Sequence, residues 1–65
     1  MGDRNYLVVE ALYTFVPERP NDIGFNAGDR IRVLRQNRDG WWLGENLSLQ
    51  HLSSSKIGYF PRNFV

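Results

Sequence analysis

Cysteine is absent from the 65 residues, and histidine and methionine occur once each. Without thiols there are no disulfides, no Cys-containing zinc sites and no Cys nucleophile. His51 has no set of partner ligands around it, so no metal and no cofactor are expected. No carboxylate pair and no phosphate-cradling glycine loop is recognisable, and the chain reads as non-enzymatic. No apolar run approaches the roughly 20 residues of a membrane-spanning helix, and no signal-peptide pattern is present. The expected location is cytoplasmic, with no direct membrane insertion. Charge of one sign is lacking too: eight basic residues against seven acidic give a net charge of +1. That balance argues against a nucleic-acid partner, even though Arg30, Arg32, Arg35 and Arg38 form a basic strip. Met1-Gly2 lacks the Ser or Thr at position 6 that N-myristoylation wants, since Tyr6 stands there. Asn46-Leu47-Ser48 matches the N-glycosylation sequon but is expected to go unused without secretion.

What remains is an ordinary globular composition, 42% hydrophobic and 23% charged, in a chain long enough for one domain. Such a domain buries only about 60% of the surface its unfolded chain exposes, so its stability is modest. No segment has helical periodicity of useful length. Leu7 to Tyr13 is the first strand candidate, with Val9 and Ala11 facing inward. Phe15 to Asn26 is a long excursion of the kind that is usually functional in a small domain. Asn26-Ala27-Gly28-Asp29 is a turn in which Gly28 can take positive φ. Arg30 to Val33 alternates, with Ile31 and Val33 in and the arginines out. Gln36 to Gly40 is a polar turn. Trp41 to Leu47 is the third strand, and its period of two sends the adjacent tryptophans to opposite faces. Gly44 in mid-strand signals close packing by a bulky neighbour. Ser48 to Lys56 is a second loop, and Ile57 to Phe60 the fourth strand. Pro61-Arg62-Asn63-Phe64 reads as a tight helical turn begun by the proline. Short antiparallel strands at this spacing suggest a small barrel or two packed sheets.

The aromatics divide between two roles. Phe25, Phe60, Trp42 and Val65 are assigned to the core with Val9, Ala11, Ile23, Ile31 and Val33. Trp41, Tyr13 and Pro61 fall on the opposite face, where flat rings beside the amide of Asn63 suit a polyproline II ligand.

Five blocks now stand in order: Ala11-Leu12-Tyr13-Thr14-Phe15, Asp22-Ile23-Gly24-Phe25, Ala27-Gly28-Asp29, Gly40-Trp41-Trp42-Leu43-Gly44, and Gly58-Tyr59-Phe60-Pro61-Arg62-Asn63-Phe64-Val65. Together they cover nearly the whole chain, and it resembles a Src homology 3 (SH3) domain. The resemblance implies an all-β fold, a five-stranded SH3-type barrel of two packed antiparallel sheets with a 3-10 turn near the C-terminus. It implies a non-catalytic adaptor or scaffold module of signalling type that binds proline-rich segments, in another protein or in its own parent chain. Carried over by position, Tyr13, Phe15 and Phe64 would form the first proline pocket. Trp41, Pro61, Tyr59 and Phe64 would wall the second, with Asn63 and the Tyr13 and Tyr59 hydroxyls donating to ligand carbonyls. Trp41 and Asp22 would frame the third, where the family usually reads an Arg or Lys.

The chain also departs from the family pattern. Thr14 replaces a usual acidic residue, and Phe15 and Phe64 replace usual tyrosines, each losing a hydroxyl. A final Phe occurs in a minority of the family that binds ubiquitin through the same groove, which makes ubiquitin the alternative partner. In the first loop Arg19 sits between Glu18 and Asp22, so preference for a basic ligand end should be weaker, or should lean on Asp39. Pro17-Glu18-Arg19-Pro20 could itself be a proline ligand but is read as loop stiffening. In the second loop Leu49 and Leu52 are candidates to cover apolar surface or to contact a partner outside the groove, and Ser53, Ser54 and Ser55, though open to phosphorylation, are read as a plain flexible linker. The whole of 1–65, with its core over 7–65, is expected to be one domain excised from a larger multidomain protein. The family's final strand would begin near Val65, so its truncation would leave Leu7-Val8-Val9 partly unpaired. The expected state is then a monomer with a tendency to swap or associate at that edge.

Overall fold

The computed structural model of the chain describes residues 6–49 and 57–65. Four antiparallel strands form one meandering sheet: β1 (Leu7–Glu10), β2 (Arg30–Gln36), β3 (Trp41–Asn46) and β4 (Ile57–Pro61), in that spatial order. A 3-10 turn, Arg62–Phe64, follows β4 directly, and another, Leu47–Leu49, follows β3. The all-β barrel expectation stands, with four of its five strands present among the described residues. The readings placed on Met1-Gly2, His51, Leu52 and Ser53 to Ser55, and on the side chain of Leu49, lie outside what is described.

Alternation explains the sheet. In β2, Ile31 and Val33 are buried and Arg30 is exposed. Arg32 also points outward, where it pairs with Glu45 across β3 and stacks over the Tyr6 ring. In β3 and β4 the inward set is Trp42, Gly44, Asn46, Gly58 and Phe60, and the outward set includes Trp41, Leu43, Tyr59 and Pro61. The register enforces this division, since Trp41 faces Pro61 and Trp42 faces Phe60 across the ladder. The core consists of Ala11, Ile23, Phe25, Ile31, Val33 and Phe60, with Val9, Phe15, Trp42, Phe64 and Val65 packed against it. Gly44 has the tight surroundings its position implied: an added Cβ would lie 2.7 Å from Ile31 and 2.8 Å from Phe60.

Two features depart from the sequence reading and a third adds to it. β1 stops at Glu10 because the backbone then turns to other partners: Ala11 N–H donates to Asp29 and Leu12 N–H to Phe64. β2 continues past Val33 to Gln36 by way of a bulge at Leu34, whose side chain is exposed. Gly40, like Gly28, has positive φ (89° and 93°), the conformation that lets the Asn37 to Gly40 turn close.

Asn46 is the largest surprise. It is 2% exposed, although the sequence offered it only as a strand residue within a sequon. Its side-chain amide donates to Gly24 O at 3.0 Å and to Asp29 Oδ2 at 3.3 Å, while its Oδ1 accepts from Ser48 N at 2.9 Å. A side chain so engaged is closed to glycosylation in the folded state, and it ties the long first loop to β3. Asn46→Ala should cost about 2 kcal/mol, because it leaves the Gly24 carbonyl and the Ser48 N–H unpaired. A urea unfolding series would register this as a lower midpoint at unchanged slope. An unmoved midpoint would mean that water replaces the amide without loss.

Candidate functional site

The outer face of β3 and β4 meets the long first loop along a row of rings. That loop folds back as a ribbon: Phe15 and Phe25 exchange backbone hydrogen bonds of 2.9 and 3.1 Å. Its tip is pinned to β4, with Ile23 N–H donating to Tyr59 O at 3.0 Å and Tyr59 N–H to Asn21 O at 2.9 Å. Asp22 is thereby set beside Tyr59. At the loop's base, Thr14 Oγ1 accepts from Ala27 N at 3.1 Å, which gives the residue replacing the family's usual acid a local structural task.

On the opposite side of the row, the turn after β2 fixes Trp41. Asp39 Oδ1 accepts from Trp41 N at 3.0 Å, and Asn37 Nδ2 donates to Trp41 O at 2.9 Å. Arg62 N–H donates to Gly40 O at 2.8 Å, which joins the same turn to the C-terminal 3-10 turn. Pro61 is extended (φ −74°, ψ 131°) and starts that turn, as its ring geometry favours. Phe64 O accepts from Leu12 N at 2.7 Å, so the turn is held against the segment carrying Tyr13.

These anchors bring the rings into a chain of edge-to-face contacts. Tyr13 meets Phe64 at 5.8 Å between centroids, Phe64 meets Phe15 at 5.5 Å, and Phe15 meets Trp41 at 6.1 Å. Each is a favourable aromatic geometry. Tyr13 is exposed, and Phe15, Trp41, Tyr59, Pro61 and Phe64 are half-buried. Asn63 lies exposed on the 3-10 turn, its side-chain amide bonded to no other described residue. Beyond Trp41 the row opens into a cleft of about 490 Å³ between the loop tip and the Asn37 to Asp39 turn, lined by Pro20, Asp22, Asp39, Trp41 and Tyr59 among others. That size lies within the usual range of ligand pockets. All eight residues singled out from the sequence, Tyr13, Phe15, Asp22, Trp41, Tyr59, Pro61, Asn63 and Phe64, therefore lie along this row or at its end.

One of them is not open. The Asp22 side chain is 2% exposed because the Arg19 guanidinium covers it, at 3.1 Å from Nη2 to Oδ1 and 3.2 Å from Nε to each carboxylate oxygen. The same guanidinium lies 4.1 Å from the centre of the Trp41 ring. Asp39, on the facing turn, spends one oxygen on Trp41 N.

A model of the family described as SH3 domain matches residues 10–62. Over 57 residues, 88% of this chain, it is 46% identical to cell division control protein 15 of Schizosaccharomyces pombe, spanning 6% of that protein. It is 39% identical over 57 residues, 88% of this chain, to LAS seventeen-binding protein 1 of Saccharomyces cerevisiae, spanning 21% of that protein. It is 36% identical over 55 residues, 85% of this chain, to human SH3 and cysteine-rich domain-containing protein 2, spanning 12% of it. The chain thus spans a small part of the curated relatives it matches. Among solved structures, the C-terminal SH3 domain of Myosin IB from Entamoeba histolytica, bound to an EhFP10(GEF) peptide, superposes with a TM-score of 0.79. The two are 27% identical, and the match covers 95% of this chain and 92% of that one.

Proposed function

Because this chain belongs to the SH3 domain family, we propose that it is a non-catalytic recognition module, one domain of a longer cytoplasmic protein, that binds proline-rich segments in polyproline II conformation. The observation that carries this reading is the continuous row Tyr13–Phe64–Phe15–Trp41, flanked by Pro61, Tyr59 and the exposed Asn63. A polyproline II helix is ordered before it binds and carries no internal hydrogen bonds, so its carbonyls remain free for donors. Grooves between rings accept its prolines with little further loss of entropy. Asn63 Nδ2 and the Tyr13 and Tyr59 hydroxyls supply the donors. The peptide-bound Myosin IB domain is a precedent in this fold for a peptide ligand. A basic ligand residue read by Asp22 and Trp41 would bind at the far end of the row, in the place Arg19 now holds. Small interfaces of this kind give affinities on the order of micromolar, about −8 kcal/mol.

The test is an NMR titration with proline-rich peptides. The Trp41 indole and Asn63 side-chain resonances should shift and saturate, while those of the core residues Ile31 and Val33 stay in place. Ubiquitin is the second titrant, because Phe64 presents a ring without a hydroxyl between Tyr13 and Phe15. If the peptides leave Trp41 and Asn63 unmoved while ubiquitin shifts the groove, the ubiquitin reading replaces this one.

A further inference from the structure

Arg19 makes both contacts that Asp22 and Trp41 would offer a cationic ligand residue at the end of the row. Its guanidinium pairs with both oxygens of Asp22 and lies on the Trp41 ring. The Asp22 carboxylate is closed off at 2% exposure, whereas the Arg19 side chain above it is 56% exposed. The partner sits three residues away on the same loop tip, where Asp22 N–H also donates to Arg19 O at 3.1 Å. The cation is thus held beside its site by the chain itself, at a high effective concentration. Planar guanidinium groups suit both contacts, bidentate on a carboxylate and stacked on an indole.

We propose that Arg19 is a built-in competitor for the cation subsite, so that this domain selects proline-rich segments without requiring a basic flanking residue. The inference rests on the groove reading above and sharpens its specificity. An incoming Arg or Lys gains the Asp22 pair and the Trp41 stack only by displacing Arg19, which loses the same two contacts. The exchange is close to neutral, and the flanking cation adds almost nothing to affinity. The far end of the row, where Tyr13 meets Phe64 and Phe64 meets Phe15, is set apart from this exchange, and Trp41 is the ring the two share. Arg19 therefore sets which proline-rich sequences are distinguished, not whether they bind.

The experiment is a calorimetric titration of two peptides that share one proline-rich core, one flanked by Arg and the other by Ala at the corresponding position. Each is run against the natural domain and against Arg19→Ala and Arg19→Gln. Arg19 is exposed, so both variants should fold, and thermal melts check that they do. The natural domain should bind the two peptides within about twofold of each other. In both variants the Arg-flanked peptide should tighten about tenfold, the scale of one charge-assisted pair with its stack, and the Ala-flanked peptide should not change. A natural domain that already prefers the Arg-flanked peptide tenfold, with no change in the variants, would overturn the competitor role and leave the groove reading intact. Equal tightening of both peptides would also overturn it, since Arg19 would then be blocking the groove as a whole. If neither peptide binds any of the three proteins, the groove reading falls and the competitor role falls with it.

Discussion

Trp41→Ala should abolish measurable binding of a proline-rich peptide, a loss of about a hundredfold or more, while leaving the domain folded. Trp41 lies on the outward face of β3, where its ring meets Phe15 at 6.1 Å and carries the Arg19 guanidinium at 4.1 Å. It borders both the edge-to-face chain of rings and the cleft beyond it. A tryptophan at the centre of a small interface is the usual site of concentrated binding energy, with truncation losses of about 2–4 kcal/mol. The fold does not depend on it to the same degree. The bonds from Asp39 and Asn37 go to the Trp41 backbone and survive the substitution. Trp42, one residue on, is the contrast. It turns inward onto Phe60 at 6.4 Å, so Trp42→Ala should lower stability by about 3–5 kcal/mol. Calorimetry with a proline-rich peptide, paired with thermal melts, separates the two residues. A Trp41→Ala domain that keeps its affinity would show that the ligand sits elsewhere.

That division between neighbouring tryptophans shows what can be read without coordinates. Strand alternation depends only on the chain's period of two, so the inward set Val9, Ala11, Ile31 and Val33 and the split of Trp41 from Trp42 were legible. Gly44 was legible too, because a glycine inside a strand implies something close above it. The polar contacts were not. Asn46 owes its burial to Gly24 and Asp29, which lie 22 and 17 residues away along the chain, and no local pattern announces either. The bulge at Leu34 interrupts an alternation that would otherwise run on, and a single exposed leucine gives no sign of it. Arg19 and Asp22 are visible as opposite charges three apart. What the sequence withheld was the third member: only the folding of the loop tip onto Tyr59 carries Arg19 over Trp41. The candidate site was thus legible as a set of rings, and the placing of its ion pair over Trp41 was a product of tertiary structure.

The same loop tip gives the second large effect. Gly58→Ala should lower the melting temperature by about 8 °C or more and remove peptide binding with it. A Cβ at position 58 would stand 2.4 Å from Asn21 O, 2.8 Å from Ile23 Cγ2 and 3.0 Å from the Asp22 carbonyl carbon. Two of these are backbone atoms, so no rotamer change relieves the overlap. Nor can the backbone retreat cheaply. Asn21 O and Ile23 N are the atoms bonded to Tyr59 N and O, and moving either breaks the bridge that sets Asp22 beside Tyr59. Moving β4 the other way presses Phe60, which is fully buried, into the core. Overpacking of this kind costs about 1–3 kcal/mol, and each of the two hydrogen bonds adds about 0.5–1.5 kcal/mol. A total of roughly 2–6 kcal/mol is a large share of the stability of a domain this small. At about 4–8 °C per kcal/mol, the melting point should fall by at least about 8 °C. Any molecules that remain folded would have shed the loop from β4, and the cleft between Asp22 and Trp41 would be lost. Circular dichroism melts and the peptide titration read the two consequences separately. A Gly58→Ala domain with an unchanged midpoint would mean that the loop tip stands off the strand in solution, and the pinned geometry of Asp22 would be wrong.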